Sequence, residues 1–157
     1  MQNPGEIVLF VLMAVLILSC MVVMYGHRLV AHRLVKDPDK RPQRSVDLAA
    51  FWPLLIIATA FPLGALWAPA DGENAQTGRW MMTGFFALAV VWMLVVQRWN
   101  WYLQYGADTA FAVTRGSREH GETPEMYRAA FKRALPWATA LVAVAFVIAL
   151  IRVSLQI

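Results

Sequence analysis

Three side chains near the start of the sequence could bind a soft metal ion. Cys20, Met24 and His27 are separated by four and three residues, which places them within about 60° of one another on one helical face. Thiol, thioether and imidazole groups are suitable ligands for Cu(I). The spacing therefore predicts part of a copper site, with further ligands required from another helix. The competing interpretation is packing, because Met and Cys fill helix interfaces readily.

Two histidines occur in a duplicated block, "HRLVAHRLV". His27 and His32 are five residues apart, so a regular helix separates them by about 140° and they cannot readily share one metal ion. His27 falls on the apolar arc and is expected to face other helices, whereas His32 falls among arginines and is expected to be solvated. Haem ligation is disfavoured, because no histidine lies deep within an apolar run.

A polar stripe is a second candidate for function. Its members, Gln97, Asn100, Gln104 and Asp108, follow at intervals of three, four and four residues and so share a helical face. Polar side chains at the end of an apolar helix usually form hydrogen bonds to neighbouring helices. The alternative is that the stripe and His27 line a cavity for a headgroup, a quinone or a proton path.

The helices that must carry these residues are strongly apolar. Hydrophobic residues make up 59% of the 157 residues, and only 15% are charged. A helix needs about 20 apolar residues to cross the hydrocarbon core of a membrane, and four runs approach this length. The sequence predicts an all-α, single integral membrane domain, a four-transmembrane-helix antiparallel bundle. Its spans are expected at about 7–34, 47–68, 79–105 and 136–156.

The basic residues indicate an orientation. Twelve of the fourteen lysines and arginines lie in the segment that joins span one to span two, in the segment that joins span three to span four, or in the adjoining ends of those spans. By the positive-inside rule both basic loops are cytoplasmic, while both termini and the 70–78 loop lie outside. A bacterial inner membrane with anionic lipid headgroups suits this pattern, and a nucleic-acid partner is not expected. The predicted interfacial basic anchors are Arg28, Arg33, Arg128, Lys132 and Arg133.

A short amphipathic interfacial helix is expected over 124–135, on the cytoplasmic side. Thr123 is a suitable N-cap, and Pro124 and Glu125 favour the first turn. Pro136 is expected to open span four. In span two, Pro62 predicts a kink.

Recognised catalytic motifs are absent from the sequence. There is no CxxC pair, no glycine-rich phosphate loop and no Ser/His/Asp set within the spans, so an enzyme is not favoured. Four helices have little interior for seven tryptophans and eight phenylalanines, and large apolar surfaces often mark interaction sites. The leading hypothesis is a non-catalytic accessory, assembly or scaffolding subunit that binds other membrane proteins or self-associates. The alternatives are a redox or metal-handling protein of copper or quinone type, and a transporter or lipid-handling protein.

Overall fold

Every regular element in the described part of the chain is helical. The computed structural model describes residues 4–67, 75–113 and 120–155, so most of the predicted outward-facing loop lies outside it. A 3-10 turn (Pro38–Lys40) precedes the helix that begins at Arg41, and a π-helical turn (Asp47–Phe51) separates that helix from the one that begins at Trp52. The helices are α1 (Pro4–Leu34), α2 (Arg41–Val46), α3 (Trp52–Trp67), α4 (Ala75–Arg98), α5 (Asn100–Val113) and α6 (Pro124–Leu155).

Four helical stretches within the described ranges are long and apolar enough to cross a membrane. They are Phe10–Leu34, Pro38–Leu66, Gln76–Arg98 and Pro124–Leu155. The second stretch is nearly continuous, because the π-helical turn joins α2 to α3 through a hydrogen bond from the Trp52 N–H to the Asp47 carbonyl. The predicted all-helical chain with four candidate spans is therefore confirmed at this level.

Helix α6 is the central element, because α3, α4 and α5 all pack against it. Small residues let helix backbones approach closely, and the buried face of α6 is dominated by them. Its small members are Ala130, Ala134, Ala138, Ala145 and Ala149, all 5% exposed or less. At one end of the molecule Phe111 of α5 packs edge-to-face on Tyr127 of α6, with ring centroids 5.6 Å apart.

Two helix boundaries differ from the predicted ones. Residues 124–135 and the fourth span form one helix, with Pro136 inside it. A proline leaves the carbonyl four residues earlier, here that of Lys132, without its helical partner. The helix continues despite the loss of this one hydrogen bond. The predicted third span is divided at Trp99, whose N–H completes the last turn of α4 on the Val95 carbonyl at 3.0 Å.

Helix α1 packs on α2, the π-helical turn and α3. Its packing is uneven along its 31 residues. No side chain described between Ile7 and Ser19 is buried, whereas Cys20, His27 and Ala31 are. The C-terminal half of α1 is therefore the half that the rest of the chain holds.

Candidate functional site

A buried carboxylate lies where α1 meets the turn before α6. Glu122 is 1% exposed, and a buried charge is costly unless it is paired. Arg28 of α1 forms a bidentate ion pair with this carboxylate. Its Nε donates to Oε1 at 3.1 Å, and its Nη2 donates to Oε2 at 2.8 Å. Ser45 of α2 donates its hydroxyl to Oε1 at 2.6 Å. The carboxylate thus joins three separate segments of the chain.

The turn that presents Glu122 depends on its neighbours in sequence. Gly121 has a φ of +74°, and a Cβ there would lie 3.0 Å from Cγ of Pro42, so a residue without a side chain lets the turn lie against α2. Thr123 accepts a bond from the Met126 N–H at 3.4 Å, which confirms the predicted cap of α6. Glu122 is therefore held between a left-handed glycine and a capped helix.

His27 completes the surroundings of the carboxylate. As expected, it is buried, whereas His32 is exposed. Its Nδ1 lies 2.5 Å from the Met24 carbonyl oxygen, and because a carbonyl only accepts, Nδ1 donates there. Its Nε2 lies 3.6 Å from Oε1 of Glu122, beyond the usual length of a hydrogen bond. The imidazole therefore faces the carboxylate without a close bond to it.

The pKa of Glu122 reflects two opposed effects. Burial raises the pKa of the carboxyl group, because it disfavours the charged form. Hydrogen bonds from Arg28 and Ser45, together with the positive charge of Arg28, lower the pKa and outweigh burial. The pKa of Glu122 therefore lies well below its ordinary value, and the group is a carboxylate at neutral pH.

A cleft of about 230 Å³ adjoins this ion pair. It lies between the end of α1, the 38–42 segment and the 120–122 turn. Apolar groups of Ala31, Pro38 and Pro42 form part of its wall. Its polar lining consists of Arg28, His32, Arg41, Ser45, His120 and Glu122.

The predicted copper face brings two sulfur atoms together. Cys20 is buried, and its Sγ lies 3.9 Å from Sδ of Met24. His27 is turned to the Met24 carbonyl and to Glu122, so a metal ion would have to displace one of these contacts. Among the described residues no group of three or more His, Cys, Asp or Glu side chains could hold a metal ion. The copper site stays a prediction.

Two residues of the polar stripe form hydrogen bonds with side chains of α6. Gln97 donates to the hydroxyl of Thr139, and Asp108 accepts from Nη2 of Arg128 at 3.0 and 3.2 Å. Gln104 is exposed beside a shallow depression, and the side chain of Asn100 is not among those described. These bonds join α4 and α5 to α6, while the role of the four-residue stripe as a whole and the cavity alternative stay predictions.

Three of the five predicted basic anchors bind carboxylates. Arg28 binds Glu122 and Arg128 binds Asp108, as described above. Nη2 of Arg133 lies 2.5 Å from Oδ1 of Asp47. The other two, Arg33 and Lys132, are exposed. Their location at a membrane interface stays a prediction.

The sequence did not single out Glu122. The sequence offered only a weak indication that this residue is buried: it lies between a glycine and the predicted N-cap of a helix. Comparison with known proteins finds no matching family model, curated protein or solved structure. Function therefore has to be argued from the geometry.

Proposed function

We propose that the chain is a non-catalytic accessory or assembly subunit of a larger membrane complex, with α1 as its partner-binding helix. The observation that carries this proposal is the unequal packing of α1. Large apolar side chains in its N-terminal half are more than half exposed, among them Phe10, Val11, Val15 and Leu18. A partner helix could pack on this surface.

The attachment of α1 supports the same proposal. Its C-terminal half is fixed by Arg28 on buried Glu122 and by the buried His27. Because an α-helix rises about 1.5 Å per residue, residues 7–19 extend roughly 20 Å beyond this attachment. Transmembrane helices associate through close packing, and a helix held at one end and little covered along the other presents a surface for such packing.

We further propose the arrangement of the chain in the membrane. The helices form an antiparallel bundle, with both basic segments in the cytoplasm and both termini outside, in a bacterial inner membrane. The concentration of basic residues in two segments supports this orientation. The first turns of α6, over 124–135, then lie at the cytoplasmic interface.

Site-specific photo-crosslinking in native membranes tests the interaction. A photoreactive residue replaces Val11 or Leu18 of α1, and the matched control replaces Val147 of α6, which is similarly exposed at 51%. We expect a discrete protein adduct from the α1 positions and lipid adducts from Val147.

The adduct's mass distinguishes the outcomes. A product larger than the chain by a different protein's mass supports the proposal, and a product of twice the chain's mass identifies self-association instead. Lipid adducts alone at both α1 positions, together with a lone monomer after mild detergent extraction, would overturn the proposal.

A copper-handling role is a second candidate, favoured by the adjacent sulfur atoms of Cys20 and Met24. Competition for Cu(I) with a chromogenic chelator, under reducing conditions, tests it on the purified protein. Copper retention that is lost in Cys20→Ser but kept in Met21→Leu would support this role. No retention by the unmodified chain would remove it. A transporter or lipid-handling role stays a prediction, without an observation that favours it over these two.

A further inference from the structure

We propose that the cleft beside the Arg28–Glu122 pair binds a phosphate group. The ligand is either the headgroup of an anionic phospholipid or a small soluble phosphate ester. This inference does not rest on the proposed subunit role, because it concerns the C-terminal end of α1 and not the apolar surface of its N-terminal half.

The charge of the cleft favours an anion. Glu122 is its acidic lining residue, and the guanidinium of Arg28 binds both oxygens of that carboxylate. The charges of Arg28 and Glu122 cancel, and Arg41 adds a positive charge to the lining. The cleft is therefore net positive even when both histidines are neutral. The surrounding segment, 28–44, adds to this potential, with six basic and two acidic side chains.

Arg41 is held in place by the backbone of the two residues that follow α1. Its Nε donates to the Val35 carbonyl at 3.0 Å, and its Nη2 donates to the Lys36 carbonyl at 3.2 Å. A guanidinium has five N–H donors in a planar fork, so these two bonds position the group without using all of its donors. Arginine is well suited to phosphate oxygens, because its fork matches their geometry.

Two imidazoles add donors from separate segments. His32 comes from α1 and His120 from the turn before α6, and both are exposed at the cleft. An imidazole can donate a hydrogen bond in its neutral as well as its charged form. Together with Arg41 they line the cleft with three donor-bearing side chains from three segments.

The size and position of the cleft suit a headgroup. Its volume of about 230 Å³ is below the roughly 300–1,000 Å³ of pockets for drug-sized ligands. Most of its accessible wall is apolar, which a glycerol group could contact. Leu29 and Leu34, on the same stretch of α1, are each 62% exposed, so apolar surface for acyl chains lies nearby.

Native mass spectrometry of the full-length protein in mild detergent tests the site. The probes are phosphatidylglycerol, zwitterionic phosphatidylcholine and the soluble ester glycerol phosphate. The variants are Arg41→Gln and His120→Glu, and the matched control is Arg33→Gln, which removes the same charge from an exposed position outside the cleft. Because Arg41 also binds backbone carbonyls of the two residues after α1, His120→Glu keeps the test valid if Arg41→Gln fails to fold.

We expect phosphatidylglycerol to bind more tightly than phosphatidylcholine. Each cleft variant should weaken this binding roughly tenfold, since a hydrogen bond involving a charged group is worth about that much, and Arg33→Gln should not. Glycerol phosphate binding with the same variant dependence would identify a soluble ester as sufficient. Equal losses in Arg33→Gln and the cleft variants would show diffuse attraction only and overturn the proposal, as would absence of binding by any phosphate probe.

Discussion

Two arginine–carboxylate pairs in this molecule share their chemistry and differ in their surroundings. Arg28 binds both oxygens of Glu122, and Arg128 binds both oxygens of Asp108. Glu122 is 1% exposed, whereas the side chain of Asp108 is 51% exposed. Exposed ion pairs contribute little, because water and salt screen them, whereas removing one partner of a buried pair leaves an uncompensated charge. We therefore expect the buried Arg28–Glu122 pair to contribute more to the stability of the fold than the exposed Arg128–Asp108 pair.

The two ion pairs also differ in the helices that they connect. The Asp108 pair connects α5 to α6, two helices that already pack through Phe111 and Tyr127. The Glu122 pair connects the turn before α6 to α1, whose N-terminal half has no buried side chain among those described. The buried pair thus adds a charged attachment to the C-terminal half of α1, the half in which Cys20, His27 and Ala31 are also buried.

The largest effect is expected from Arg28→Ala. The Glu122 carboxylate would stay buried without its charged partner, and the free energy of unfolding should fall by about 3–5 kcal/mol. Equilibrium unfolding in mixed detergent micelles measures this. Arg33→Ala, an exposed arginine on the same helix, should change it by less than about 0.5 kcal/mol; similar losses from both variants would contradict the assigned role.

The dependence of stability on pH is expected to come in part from Glu122. Its pKa is lowered on folding, because the hydrogen bonds and charge around it outweigh its burial. The resulting stabilisation is fully present above the ordinary pKa of an unfolded glutamate, about 4.3. It is lost as the pH falls through the lower pKa of the folded state.

A comparison with Glu122→Gln isolates this contribution, because the other acidic groups are unchanged. The free energy of unfolding, measured from about pH 7 downward through about pH 4, should fall more steeply with acidification in the unmodified chain than in the variant. Parallel pH profiles would show that Glu122 is not the group responsible.

An intermediate effect is expected from Gly121→Ala. The left-handed backbone at φ +74° costs an alanine about 1–2 kcal/mol, and the new Cβ would lie 3.0 Å from Pro42. Gly26→Ala is the control, because a Cβ there meets nothing within 4 Å, and alanine should stabilise α1 by about 0.5–1 kcal/mol. Thermal unfolding compares the two; destabilisation by both would contradict this assignment.

The smallest effect is expected from Asp108→Asn. This substitution breaks the exposed pair with Arg128 and should cost less than about 1 kcal/mol, with a smaller loss at high salt. Unfolding at two salt concentrations provides the measurement. A loss comparable to that of Arg28→Ala would remove the distinction between the pairs.

The sequence predicted those features that depend on local composition. Hydropathy placed four candidate spans, and the residue types at Thr123 and Pro124 placed the start of α6, because capping depends on adjacent residues. Helical spacing also placed His27 on a covered face and His32 on an exposed one. The continuation of α6 through Pro136 was missed, because a helix can continue past a proline at the loss of one backbone hydrogen bond, and the local residue types do not show whether it will.

The buried cluster could not be predicted in the same way. Glu122 lies 94 residues from Arg28 and 77 from Ser45, so no local pattern connects them. An acidic residue in a polar segment usually lies in solvent. Only the tertiary placement of the Gly121 turn against Pro42 removes Glu122 from water, and that placement is a property of the folded chain.

A double-mutant cycle on each pair is the most direct test of the role assigned to burial. Arg28→Met and Glu122→Leu form one cycle, and Arg128→Met and Asp108→Leu form the other. We predict a coupling free energy of about 2–3 kcal/mol for the buried pair and less than about 1 kcal/mol for the exposed pair. Equal coupling in the two cycles would contradict the conclusion that burial makes Glu122 the attachment point of α1.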